Sequence, residues 1–128
     1  MSQLQPFAMP VGRVLIALIF VMFGMSKIFD YGMFAGYMNA FGVPGALLPL
    51  VIIAEVIGGI AIIVGWQTRR MALALAGFSV LSALLFHRDL ANQAEMTNFM
   101  KNVAIAGGFL FLFANGPGAY SLDNRKAG

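Results

Sequence analysis

The sequence predicts an all-α integral membrane protein, a four-helix bundle with its N and C termini cytoplasmic. Three observations predict it. Of the 128 residues, 60% are hydrophobic and 10% are charged, whereas a soluble domain is about 45–50% apolar and about 25% charged. A soluble fold of this size leaves too much of its surface in water to hide such a composition. The apolar residues also fall into four runs, each near the roughly 20 residues that a bilayer-crossing helix needs. Residues 1–128 therefore read as a single transmembrane domain, with spans at about 10–29, 46–66, 71–87 and 99–114. No room is left for a separate soluble catalytic domain.

The first span starts at Pro10, where a proline's missing N–H costs nothing. Arg13 lies in its first turn and Lys27 in its last, both able to reach an interface. Met1 to Pro10 carries no cation and no small-residue cleavage pattern follows, so this run is expected to be a retained span, not a signal peptide. Residues 30–45 are too polar and glycine-rich to cross. Phe34, Tyr37 and Phe41 recur at helical spacing and predict a short helix lying on the membrane surface. Pro44 closes this stretch. The second span has Glu55 as its only ionisable residue. Gln67 to Arg70 forms a short polar turn, which makes spans two and three antiparallel neighbours. His87, Arg88 and Asp89 close the third span. Residues 90–100 are polar and read as helical in part. The fourth span, short in apolar terms, contains Lys101 and Asn102. Asn115-Gly-Pro-Gly ends it, and a soluble tail is expected from Ser121.

The net charge of +3 is explained by topology and implies no nucleic-acid partner. Arg13, Arg69, Arg70, Arg125 and Lys126 fall on one side of the four spans. Lys27, Arg88 and Lys101 fall on the other, offset by Asp30, Asp89 and Glu95. The positive-inside rule then puts both termini in the cytoplasm. Cysteine is absent, which excludes disulfides, thiolate metal sites and a cysteine relay. One histidine and one intramembrane glutamate make no recognisable metal-ligand set, so no metal is expected.

The polar residues inside the spans are the functional candidates. An acid in mid-membrane costs about 2.5–3.5 kcal/mol on insertion scales, so Glu55 must face inward, find a partner or stay protonated. Arg13 and Lys27 are 14 residues apart, within about 40° of one helix face at 100° per residue. Ala17, Phe20 and Gly24 share that stripe. Either cation is placed to approach Glu55. His87, Lys101 and Asn102 lie at the end where Lys27 also ends, and the histidine is able to pass protons near neutral pH. These six residues form one candidate ligand pocket, with no catalytic residue assigned among them. Plainer roles stand beside this one: interfacial anchors for the cations, interhelical glue for Glu55, a surface histidine, and helix-start chemistry for Asn102. Gly24, Gly58, Gly59, Gly107 and Gly108 read as close helix packing.

An early arginine, then FGMSKIFDYGMFAGYMNAFGVP, then AEVIGGIAIIVGW followed by TRR, and the ending GPGAYSLD, resemble the DoxX family of small bacterial inner-membrane proteins. The resemblance runs from about Gly12 to Asp123. It implies a four-helix membrane bundle in the inner membrane. It also implies that Arg13, Gly24, Lys27, Glu55, Gly59, His87, Lys101 and Asn102 are the family-type polar and small positions. The family takes its name from a subunit of a thiosulfate:quinone oxidoreductase, and relatives are linked to redox or thiol stress. One expectation is therefore a membrane subunit of a redox system, working with a redox partner protein or as a homo-oligomer and binding a quinone in the polar pocket. The alternative is a non-catalytic scaffold that recruits a partner protein or a small hydrophobic molecule.

Overall fold

The computed structural model describes residues 5–87 and 89–124, and all regular structure among them is helical. Helix α1 covers Gln5–Phe29 and α2 covers Tyr31–Ala40. A single 3-10 turn at Gly45–Leu47 leads into α3, Leu48–Val64. Helices α4, Thr68–Phe86, and α5, Gln93–Asn115, follow. Four stretches, Pro6–Phe29, Gly45–Val64, Thr68–Phe86 and Gln93–Asn115, are long and apolar enough to cross a membrane. The cations Arg88, Arg125 and Lys126, used in the topology count, lie outside the described residues.

The chain divides into two compact units. One runs up to Gln67 and resumes at Pro117; the other is Thr68–Gly116. In the first unit α1 and α3 pack antiparallel. Gly24 lies against Val56 and the Cβ of Glu55, and Gly59 lies against Val21 and the carbonyl of Ala17. Small residues here let two backbones approach closely. A Cβ on Gly59 would come within 2.7 Å of Val21 Cγ2. Gly59→Leu is therefore expected to destabilise the protein by about 1–3 kcal/mol, the usual cost of overpacking. Gly107 gives the contrast. A Cβ there meets nothing within 4 Å, so Gly107 is not a site of close packing. Gly107→Ala should stabilise by up to about 1 kcal/mol through helix propensity. Thermal unfolding in detergent reads both.

Several element boundaries differ from those expected. Helix α1 already includes Gln5 and carries Pro10 within it. As the sixth residue of the helix, Pro10 leaves the Pro6 carbonyl without its usual intrahelical donor. The second span stops at Gly65, whose φ of 75° is left-handed. Gly65 N–H and Trp66 N–H turn back to Ile62 and Ala61 at 3.2 and 2.9 Å, the 6→1 and 5→2 closure that glycine favours. Thr68, Arg69 and Arg70 form the first turn of α4 and are not a loop. Helix α5 begins at Gln93, well before Phe99, because Asn92 caps it: its Oδ1 accepts from Ala94 N–H at 3.0 Å and Glu95 N–H at 3.3 Å. Asn102 is therefore mid-helix and plays no part in helix initiation. Asn92→Ala should cost about 1 kcal/mol and raise hydrogen exchange in residues 93–96 above that of the mid-helix.

The described part of the C-terminal segment, up to Asn124, is not a free tail. Leu122 and Asp123 donate backbone N–H groups to the carbonyls of Val64 and Gly65 at 3.0 and 2.8 Å. Asp123 Oδ1 accepts from Gln67 N–H at 2.7 Å. The Tyr120 ring stacks on Phe7 with centroids 5.5 Å apart. Residues 117–123 thus strap the start of α1 to the end of α3.

Candidate functional site

The two cations of α1 have different fates. The stripe they share is buried: Arg13 is 2% exposed, Ala17 0% and Phe20 6%. Arg13 does not approach Glu55. Its Nη1 donates to the carbonyls of Ile62 and Ile63 at 3.2 and 3.0 Å, and its Nη2 donates to the carbonyl of Tyr120. The physical reason is the end of α3, where the last carbonyls of a helix lack intrahelical partners and carry partial negative charge. A forked guanidinium serves several of them at once.

Lys27 does reach Glu55. Its Nζ lies 2.7 Å from Glu55 Oε1. The glutamate is 5% exposed, and Oε1 has no hydrogen-bond donor beyond this ion pair. The antiparallel register of α1 on α3 makes the meeting, since Gly24, one turn before Lys27, lies against the Glu55 backbone side. A bulkier residue at 24 would hold the helices apart. Burying a single charge in an apolar medium is costly, and pairing offsets it. The Lys27 side chain keeps 18% of its surface exposed, so the pair is reachable from one side.

Two phenylalanines complete the surroundings. The Lys27 ammonium stands 5.9 Å from the Phe23 ring centroid and 5.3 Å from that of Phe34, within cation–π range. Phe34 stands out in the sequence only as part of the short surface helix, and Phe23 does not stand out at all. Phe23 is four residues before Lys27, and that spacing was a usable signal. Phe34 comes from α2, and nothing in the sequence says which way that helix folds back.

His87, Lys101 and Asn102 belong to the second unit. His87 Nδ1 is 2.9 Å from Glu95 Oε2, so the loop between α4 and α5 is bridged by this pair. Asn102 is half-buried and Lys101 exposed on α5. Gly58 is buried beside Gly59, while Gly108 is half-buried. Among the described residues, no three of His, Asp and Glu stand together as a metal site would require. The arrangement that has chemical potential is a lysine–carboxylate pair between two span-length helices, with the Phe23 ring of α1 and the Phe34 ring of the short helix α2 beside the ammonium. It offers a hydrogen-bond donor with positive charge, a carboxylate that is able to hold a proton, and flat apolar surfaces.

Comparison with known proteins agrees with this architecture. The DoxX family model matches residues 8–88. The inner membrane protein YqjF of Escherichia coli is 47% identical over 129 residues, covering 98% of this chain and 99% of its own length. The inner membrane protein YphA of the same organism is 36% identical, covering 94% and 91%. No solved structure matches. Similarity along nearly the whole length of two inner-membrane proteins, together with four span-length apolar helices, makes this a multi-pass inner-membrane protein in contact with the lipid bilayer. The chain belongs to the DoxX family.

Proposed function

We propose that this protein is the membrane component of a redox system and holds the head group of a quinone, or a similar lipid-soluble carrier, at Lys27 and Glu55. The observation that carries the reading is the buried ion pair itself. A charged pair kept among apolar residues is a functional feature by default. Its donor, its carboxylate and the Phe23 and Phe34 rings match a planar, carbonyl-bearing ligand. Lys27 donates to a ligand carbonyl oxygen, the rings flank the ligand's faces, and Glu55 holds or yields a proton beside it. The carrier, when bound, supplies the electron chemistry. Cysteine is absent from this chain, and electrons come from a partner protein. Arg13 is bound at the end of α3, and Arg69 and Arg70 follow α3 closely in sequence, so we assign that end to the cytoplasm by the positive-inside rule. Lys27 then faces the opposite leaflet.

The test is direct binding. Purified protein titrated with a short-chain ubiquinone or menaquinone analogue should bind it. Lys27→Met should weaken binding by roughly tenfold to a hundredfold, the loss of one hydrogen bond from a charged donor. Absence of binding by the intact protein overturns the reading.

A further inference from the structure

An ammonium has three N–H groups, and the Lys27 ammonium has three neighbours around it. One is Glu55 Oε1 at 2.7 Å. The other two are the Phe23 and Phe34 rings, at 5.9 and 5.3 Å from their centroids. The exposed part of Lys27 leaves one approach, and an acceptor that comes into full contact with the ammonium displaces one of the three. The carboxylate is held by charge in an apolar setting, and Phe23 stands one turn away on the same helix. Phe34 is the neighbour that sits on a separate element.

That element is the weakest helix of the first unit. Helix α2 has 10 residues, and its N-cap, Asp30, makes no side-chain cap hydrogen bond. Isolated helices of this length are marginal in water. Two of its residues, Gly32 and Gly36, have nothing within 4 Å of where a Cβ would stand. Glycine there lowers helix stability with no packing reason inside the chain. Met38 is its one buried side chain, and its far end is tied to the 3-10 turn by the Gly45 N–H on Asn39 Oδ1 at 2.7 Å. Few buried contacts, two unconstrained glycines and a missing cap are the marks of a segment that opens locally, well below global unfolding.

From this we infer that α2 is a lid over the Lys27 ammonium, that it opens by local melting, and that Phe34 is the residue that closes it. The inference rests on the ligand site proposed above for its purpose, but its test needs no ligand. The full-length protein in lipid vesicles is treated with a small, membrane-permeant, amine-reactive reagent, and modification of Lys27 is followed by mass spectrometry. Phe34→Ala is expected to speed modification by about tenfold, the scale of one desolvated aromatic–ammonium contact. Gly32→Ala and Gly36→Ala, each filling open space, are expected to slow it by about threefold to fivefold apiece through added helix stability. These alanine variants also keep the test decisive if Phe34→Ala fails to fold. Association of the quinone analogue should follow the same order of rates. Equal modification rates at Lys27 in the native protein and the glycine variants overturn the lid. A protein whose Lys27 reactivity shifts as stated, yet which binds no quinone, keeps the lid and removes the ligand reading.

Discussion

Lys27→Met is expected to destabilise the first unit by about 3 kcal/mol, because it leaves the Glu55 carboxylate buried without its cation. The partner substitution should cost less. In Glu55→Gln the orphaned group is Lys27, which lies near the end of α1 and is partly exposed. Its long stem lets the ammonium turn toward the interface, so a loss of about 1 kcal/mol is expected, the size of a modest hydrogen-bond deficit. Combining the two changes removes both charges, and the double variant should recover most of the stability lost by Lys27→Met. The measurement is a double-mutant cycle on unfolding in detergent. Additive losses, with no recovery in the double variant, would sink the claim that the pair is coupled.

The second large effect is at Arg13. Arg13→Met removes the donors to Ile62, Ile63 and Tyr120 carbonyls. Hydrogen bonds from charged groups are worth about 1.5–3 kcal/mol each. The total loss should exceed about 3 kcal/mol, since several go at once. Arg13→Lys should rescue little of it, because an ammonium lacks the planar fork that reaches two chain segments together. The strap then keeps its links to Val64, Gly65 and Gln67 and its ring contact with Phe7. Hydrogen exchange at the Leu122 and Asp123 amides should accelerate well before the helices open. Unchanged exchange at those amides in Arg13→Met would show that the arginine does not hold the strap.

These two residues also show what was legible in the sequence. Composition and run length were enough for four apolar helices, since bilayer thickness sets their length. The 14-residue spacing of Arg13 and Lys27 was enough to place both on one buried stripe. Which of them meets Glu55 depended on the register between α1 and α3, and that is set by the close contacts at Gly24 and Gly59. A hydropathy pattern carries no such information. The apolar run of the fourth span does not mark where its helix begins, because the first turns are polar and the start is set by the Asn92 cap. Nothing in hydropathy or charge marks the docking of residues 117–123. The segment is held chiefly by backbone carbonyls and amides, and these have no signature in side-chain sequence.

The strap has a consequence for the order of events during synthesis. Arg13 and Tyr120 are separated by 107 positions, and the α4–α5 hairpin is made between them. While a nascent chain is being inserted, the first helix pair stands with the terminal carbonyls of α3 and the Arg13 guanidinium only partly matched. Completion of that end waits for the final stretch to leave the ribosome. Long-range closure of this kind is slow relative to local helix formation. Ribosome-stalled chains ending before residue 117 should therefore carry an incompletely closed first helix pair, one that a membrane quality-control protease is equipped to recognise.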